Sequence, residues 1–125
     1  MSRAIYCYTQ DGCFEHVMCN YAPSVLQEIH VSFGIGKYYL VSPISPDDES
    51  FELIDVKHPQ QNVDIIGDAL ILTWEEFKKL KQCRRKLVKN PANKMSDLFL
   101  SVVDGLIDYI RSHQEIQHFQ FHGEF

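Results

Sequence analysis

The chain has 125 residues, 45% of them apolar and 23% charged, which is enough for one domain with a single core. No apolar run approaches the roughly 20 residues that span a bilayer, and the N-terminus lacks the basic-then-apolar order of a secretory signal. An intracellular protein without membrane contact is therefore expected, with Cys7, Cys13, Cys19 and Cys83 reduced rather than paired.

The net charge is −5, which taken alone argues against nucleic acid as a partner. Its distribution argues otherwise. Residues 74–94 hold eight basic residues against Glu75 and Glu76, a net of +6, and the remainder carries −11. Segregation on that scale gives an oriented field, although a solvated helix face fits it equally well.

In chain order, residues 4–19 read as a hairpin, two β-prone runs meeting at Asp11-Gly12, a pair suited to a primed turn. Residues 24–29 fit a helical turn or a strand. From His30 the chain reads as a meander: HVSFGIG and KYYLVSPI as strands, a polar turn over residues 45–50, FELIDVK as a strand, a loop over residues 58–62 and a short buried strand, ALIL, over residues 69–72. Thr73-Trp74-Glu75-Glu76 has the capping-box pattern, with Leu72 and Phe77 placed as a hydrophobic staple. A helix is predicted from Trp74 to Lys89, ended by Asn90-Pro91. A second helix is predicted over residues 96–113, with Phe99, Val102, Val103, Leu106 and Ile110 on one face. From Glu115 on, polar and aromatic residues alternate, and a loosely held tail is expected.

Gly34-Ile35-Gly36-Lys37 has the look of a phosphate loop but lacks the third glycine, the following helix and the Ser or Thr after lysine. Strand glycines marking a bend are the better reading. Cys13, His16 and Cys19 are spaced for soft-metal binding, yet strand alternation sends His16 to the face opposite the cysteines, so no metal or other cofactor is expected. Cys83 lies among cations that would lower its pKa, but beside Leu80 and Leu87 it reads as a packing residue. No residue set reads as an active site, and a non-enzymatic protein is expected. Aromatic and basic residues interleave at Lys37, Tyr38, Tyr39 and at Lys57, His58, a combination that suits stacking of single-stranded bases beside neutralised phosphates.

FGIGKYYLVS, a polar turn, ELIDVK, a loop and GDALILTWEEFKKLKQ, taken in order, resemble the transcriptional coactivator family positive cofactor four across about residues 31–89. The resemblance implies an α+β fold: a four-stranded antiparallel sheet followed by a long helix, forming a homodimer whose sheets make channels for single-stranded DNA. Residues 1–30 would then be an added hairpin and residues 90–125 an added helix and tail, all within a single domain. Lys37, Ser42 and Lys57 match channel positions of the family, and Phe77 and Leu80 match core-facing helix positions. Tyr39 stands where the family commonly has arginine, and Arg84 where the helix carries an apolar residue of the dimer seam.

The implied function is single-stranded nucleic-acid binding, DNA or RNA, in support of transcription or replication and so nuclear, alongside proteins of those processes. Lys37 and Lys57 would neutralise phosphates, Tyr39 and His58 would stack or hydrogen-bond, and Lys78, Lys81, Arg85 and Lys86 would extend the basic surface. The alternative is a dimeric interaction module that kept the fold, lost DNA binding and docks an acidic partner through its basic helix.

Overall fold

A computed structural model describes residues 3–8, 12–21, 25–43, 51–55, 64–89 and 97–124. The elements run β1 (Arg3–Tyr8), β2 (Phe14–Tyr21), α1 (Val25–Phe33), β3 (Lys37–Pro43), β4 (Phe51–Asp55), β5 (Gly67–Thr73), α2 (Trp74–Lys89), α3 (Asp97–Ser112) and β6 (His118–Glu124). The fold is α+β, with one antiparallel sheet in the order β2-β1-β6-β5-β3-β4. The sheet has six strands, not the four expected. The N-terminal hairpin forms as predicted and extends this sheet.

The hairpin supplies the two additional strands, and two corrections alter the rest. The first concerns the segment beginning at His30. Val25, Leu26 and Ile29 share one helical face and are buried, so their burial pattern has helical, not strand, periodicity. The β-branched and aromatic composition of HVSF is overridden by this packing. The helix ends at Gly34, whose φ of 64° is left-handed and whose N–H donates to the His30 carbonyl at 3.0 Å, an αL cap. The Gly34–Lys37 stretch is thus a helix stop leading into β3, neither a phosphate loop nor a bend between strands.

The second correction concerns the tail. Residues 118–124 form β6, a central strand hydrogen-bonded to β1 on one side and β5 on the other. Alternation places Phe119 and Phe121 in the core and His118, Gln120 and His122 on the opposite face. The meander also fails beyond β4, because β5 returns to the far side of β3 and leaves β4 at the edge.

All three helices cover one face of the sheet. Their apolar sides meet Ile5, Cys7, Tyr38, Leu70, Leu72, Phe119 and Phe121 in one core. The helix α2 begins where the capping box placed it. Thr73 donates its backbone N–H and its hydroxyl to Glu76 Oε1 at 3.4 and 3.3 Å, and the other oxygen of the same carboxylate accepts from the Gly36 N–H. A local cap therefore also fastens the α1–β3 turn. Trp74 Nε1 adds a tie to the Ile116 carbonyl at 2.6 Å. No helix among the described residues is long and apolar enough to cross a membrane.

Gly36 allows a sharp test of this junction. Its φ is 70°, and a Cβ there would lie 2.7 Å from the Ile71 carbonyl and 2.8 Å from a Leu72 methyl. Gly34 has similar φ, but a Cβ there meets nothing within 4 Å. Gly36→Ala is expected to destabilise by roughly 2–4 kcal/mol, strain and overpacking together. Gly34→Ala should cost about 1 kcal/mol, from strain alone. Urea midpoints for the two variants check this, and equal shifts would refute the packing of Gly36 against β5.

Candidate functional site

The face of the sheet turned away from the helices carries most of the chain's strand aromatics. Antiparallel registration lines them up in rows. One row crosses all six strands: Asp55, Tyr39, Ala69, His122, Tyr6 and His16. The next holds Lys37, Ile71, Gln120, Tyr8 and Phe14. Two residues anticipated from sequence, Lys37 and Tyr39, therefore stand in rows with aromatic residues from strands far away in the chain.

This face is curled. In a flat sheet β4 would lie about 19 Å from β1 and about 24 Å from β2 at ordinary strand spacing. Yet the Phe51 ring of β4 lies 5.2 Å from Tyr8 and 5.6 Å from Phe14, centroid to centroid. The two ends of the sheet order therefore bend toward each other over β6. Beneath the joint sits His122, with Phe51 at 4.9 Å, Phe14 at 5.1 Å and Tyr8 at 6.1 Å. Only 7% of His122 is exposed, and burial pushes its pKa down to about 4. At neutral pH the ring is uncharged, and its Nε2 accepts from the Gln120 amide at 2.7 Å. Beside this cluster is a cavity of about 320 Å³, lined chiefly by Tyr6, Phe14, Val41, Phe51, Ile66 and Glu124. Phe14 is 42% and Ile66 51% exposed, so both sit at its mouth.

Other anticipated residues lie elsewhere. Ser42 pairs with Glu52, is 2% exposed, and its hydroxyl donates to the Pro43 carbonyl, so it is not on the curled face. Phe77 and Leu80 are buried in the core, as expected of core-facing helix positions. Lys78 and Arg85 are exposed on α2, Lys81 Nζ lies 4.8 Å from the Phe77 ring centroid, and Arg84 pairs with Asp104 of α3. Because α2 packs on the opposite face, these cations do not share a surface with Lys37 and Tyr39. Lys86 belongs to α2, while Lys57 and His58 lie outside the described residues.

The Cys13, His16, Cys19 spacing also needs correction. Ile5 pairs with Met18 but Tyr6 with His16, so Val17 is an extra residue, a bulge. The bulge returns Cys19 to the His16 side, with Sγ 3.0 Å from Nε2. Among the described residues, no three His, Cys, Asp or Glu side chains gather to hold a metal ion. Among the described residues the cysteines form no disulfide, and Cys7 and Cys83 are buried. Burial raises the Cys7 pKa, which favours an unreactive thiol. Near it, Tyr109 donates to Glu15 Oε2 at 3.1 Å, and His113 reaches Oε1 of the same carboxylate at 3.2 Å, tying β2 to α3.

Sequence reasoning missed Tyr6, Tyr8, Phe14, Phe51 and His122 as one group. The available signal was the period-2 alternation of the tail, which marks a strand with two distinct faces.

Comparison with protein families, with curated proteins and with solved structures returned no match for this chain.

Proposed function

We propose that the chain binds single-stranded nucleic acid on the curled face of its sheet, without enzymatic chemistry, in support of transcription or replication. The observation that carries this reading is the pair of cross-strand rows that set Lys37 and Tyr39 among Tyr6, Tyr8, Phe14 and two histidines on the face opposite the described helices. Phe14 is exposed and Tyr6, Tyr8 and Tyr39 are partly so, which leaves stacking surface for unpaired bases, every base having a face to stack. A duplex keeps its bases stacked on one another and cannot use such a surface in this way. The sequence resemblance of residues 31–89 to positive cofactor four points the same way, although the expected first strand is helix here and β5 pairs with β3 instead of β4.

The resemblance also implies a homodimer, which belongs to this proposal. Phe77 and Leu80 are spent on the chain's own core, so a seam along α2 would be built from its outward residues.

Titration of labelled single-stranded and duplex oligonucleotides at two salt concentrations tests the proposal. Single strands should bind and duplex should not compete. Tyr39→Ala should weaken binding by about 1–3 kcal/mol through lost stacking. Lys37→Ala should lower the salt slope by about 0.7. No single-strand binding even at low salt would reject the proposal in favour of a protein-interaction module. That alternative draws on the exposed cations of α2, Lys78, Lys79 and Arg85, which point away from the sheet.

A further inference from the structure

On the helical side, α2 and α3 enclose a groove of about 530 Å³ between Lys81, Arg84 and Arg85 of one helix and Asp104, Asp108 and Arg111 of the other. We propose that this groove is a second binding site, for the phosphoryl group of a small phosphate ester or diphosphate.

Arg84 is one of the groove's cations. Its Nε and Nη2 donate to the two Asp104 carboxylate oxygens at 2.6 and 3.1 Å. This fork fixes the guanidinium plane. The third nitrogen, Nη1, is shut off from water and has no hydrogen-bond partner among the described residues. Arg84 lines the groove, but this nitrogen is closed off, so a phosphoryl group would be held by the groove's other cations, Lys81, Arg85 and Arg111.

The surrounding charge agrees. Asp104 is already matched by Arg84, which leaves Lys81, Arg85 and Arg111 facing the single carboxylate of Asp108. The groove thus carries a cationic excess in a protein whose net charge is −5. Its volume lies within the usual ~300–1,000 Å³ of small-molecule sites and exceeds what one phosphate fills. Ile107, 6% exposed, offers an apolar wall for the rest of the ligand. Because the helices and the aromatic rows occupy opposite faces of the sheet, the two sites are separate.

The test is calorimetric titration of the full chain with inorganic pyrophosphate, ionic strength held constant with sodium chloride. Saturable binding at one site per chain is expected. Arg111→Gln and Lys81→Gln should each weaken it about tenfold, the loss of one charge-assisted hydrogen bond. Asp108→Asn should tighten it, a gain that general damage to the fold would not produce. Arg111→Gln should leave oligonucleotide affinity unchanged, and saturating pyrophosphate should not displace a bound single strand. Absence of saturable heat, or affinity indifferent to both Gln variants, would overturn the proposal. Displacement of pyrophosphate by an oligonucleotide would assign the groove to a nucleic-acid backbone and overturn it equally. The pyrophosphate titration contains no oligonucleotide, so it is read independently of the sheet-face proposal.

Discussion

A chain truncated after Gln117 is expected to lose cooperative unfolding altogether. The missing residues are β6, which joins β1 to β5 through two continuous ladders. Without it the sheet falls into two parts, β2-β1 and β5-β3-β4. The first is a lone hairpin, marginal in water at best. The truncation also removes Phe119 and Phe121, both 0% exposed. Phe→Ala changes in cores cost about 3–5 kcal/mol each, against a total stability of about 5–15 kcal/mol for a typical domain. The graded version is Phe121→Ala, which should unfold in one transition at a midpoint lowered by that amount. Circular dichroism during urea unfolding measures both. A truncated chain with the full-length transition would show that β6 is not part of the folded sheet.

Stability should also fall as pH drops below neutrality, because of His122. Its native pKa is lowered to about 4 by burial under Phe51 and Phe14, whereas in an unfolded chain it titrates near 6.5. The unfolded state therefore binds more protons in the intervening range. The contribution is fully present above about pH 6.5 and is lost as pH falls toward 4. The penalty reaches about 2 kcal/mol at pH 5 and about 3 kcal/mol by pH 4. His122→Gln keeps a polar group next to Gln120 and removes the titration. Urea midpoints at pH 7, 6, 5 and 4.5 should converge for the two proteins as the wild type weakens. Parallel pH profiles would show that His122 titrates equally in both states.

The features legible from sequence were those that local chemistry decides. The start of α2 follows from Thr73 and Glu76 three positions along the chain, and both lie where that motif placed them. The hairpin of β1 and β2 and the span of α3 lie where β-prone runs and apolar periodicity placed them, and α2 runs to Lys89. The start of β3 was legible too, but its neighbour α1 was not. His30 to Phe33 has strand composition, and only the burial of Val25, Leu26 and Ile29 against the sheet decides for helix. The place of β6 depends on partners more than 100 residues away in β1, a relation no local pattern encodes. The site divides likewise. Lys37 and Tyr39 could be singled out by residue type, but the meeting of Phe14 with Phe51 depends on sheet curl. The side of β2 on which Cys19 emerges depends on one bulged residue, Val17, and alternation alone gives the wrong answer.

The chain order of the strands has a consequence during synthesis. The strands that flank β6 are made well before it, and β5 ends at Thr73 while β6 starts at His118. At about 5–20 residues per second, the ribosome takes about 3–10 s to pass from Thr73 to Glu124. Throughout that interval β1 and β5 each present an unpaired edge to their surroundings. The nascent chain is thus most open to wrong pairing while α2 and α3 are being made, and the last strand closes both edges in one step.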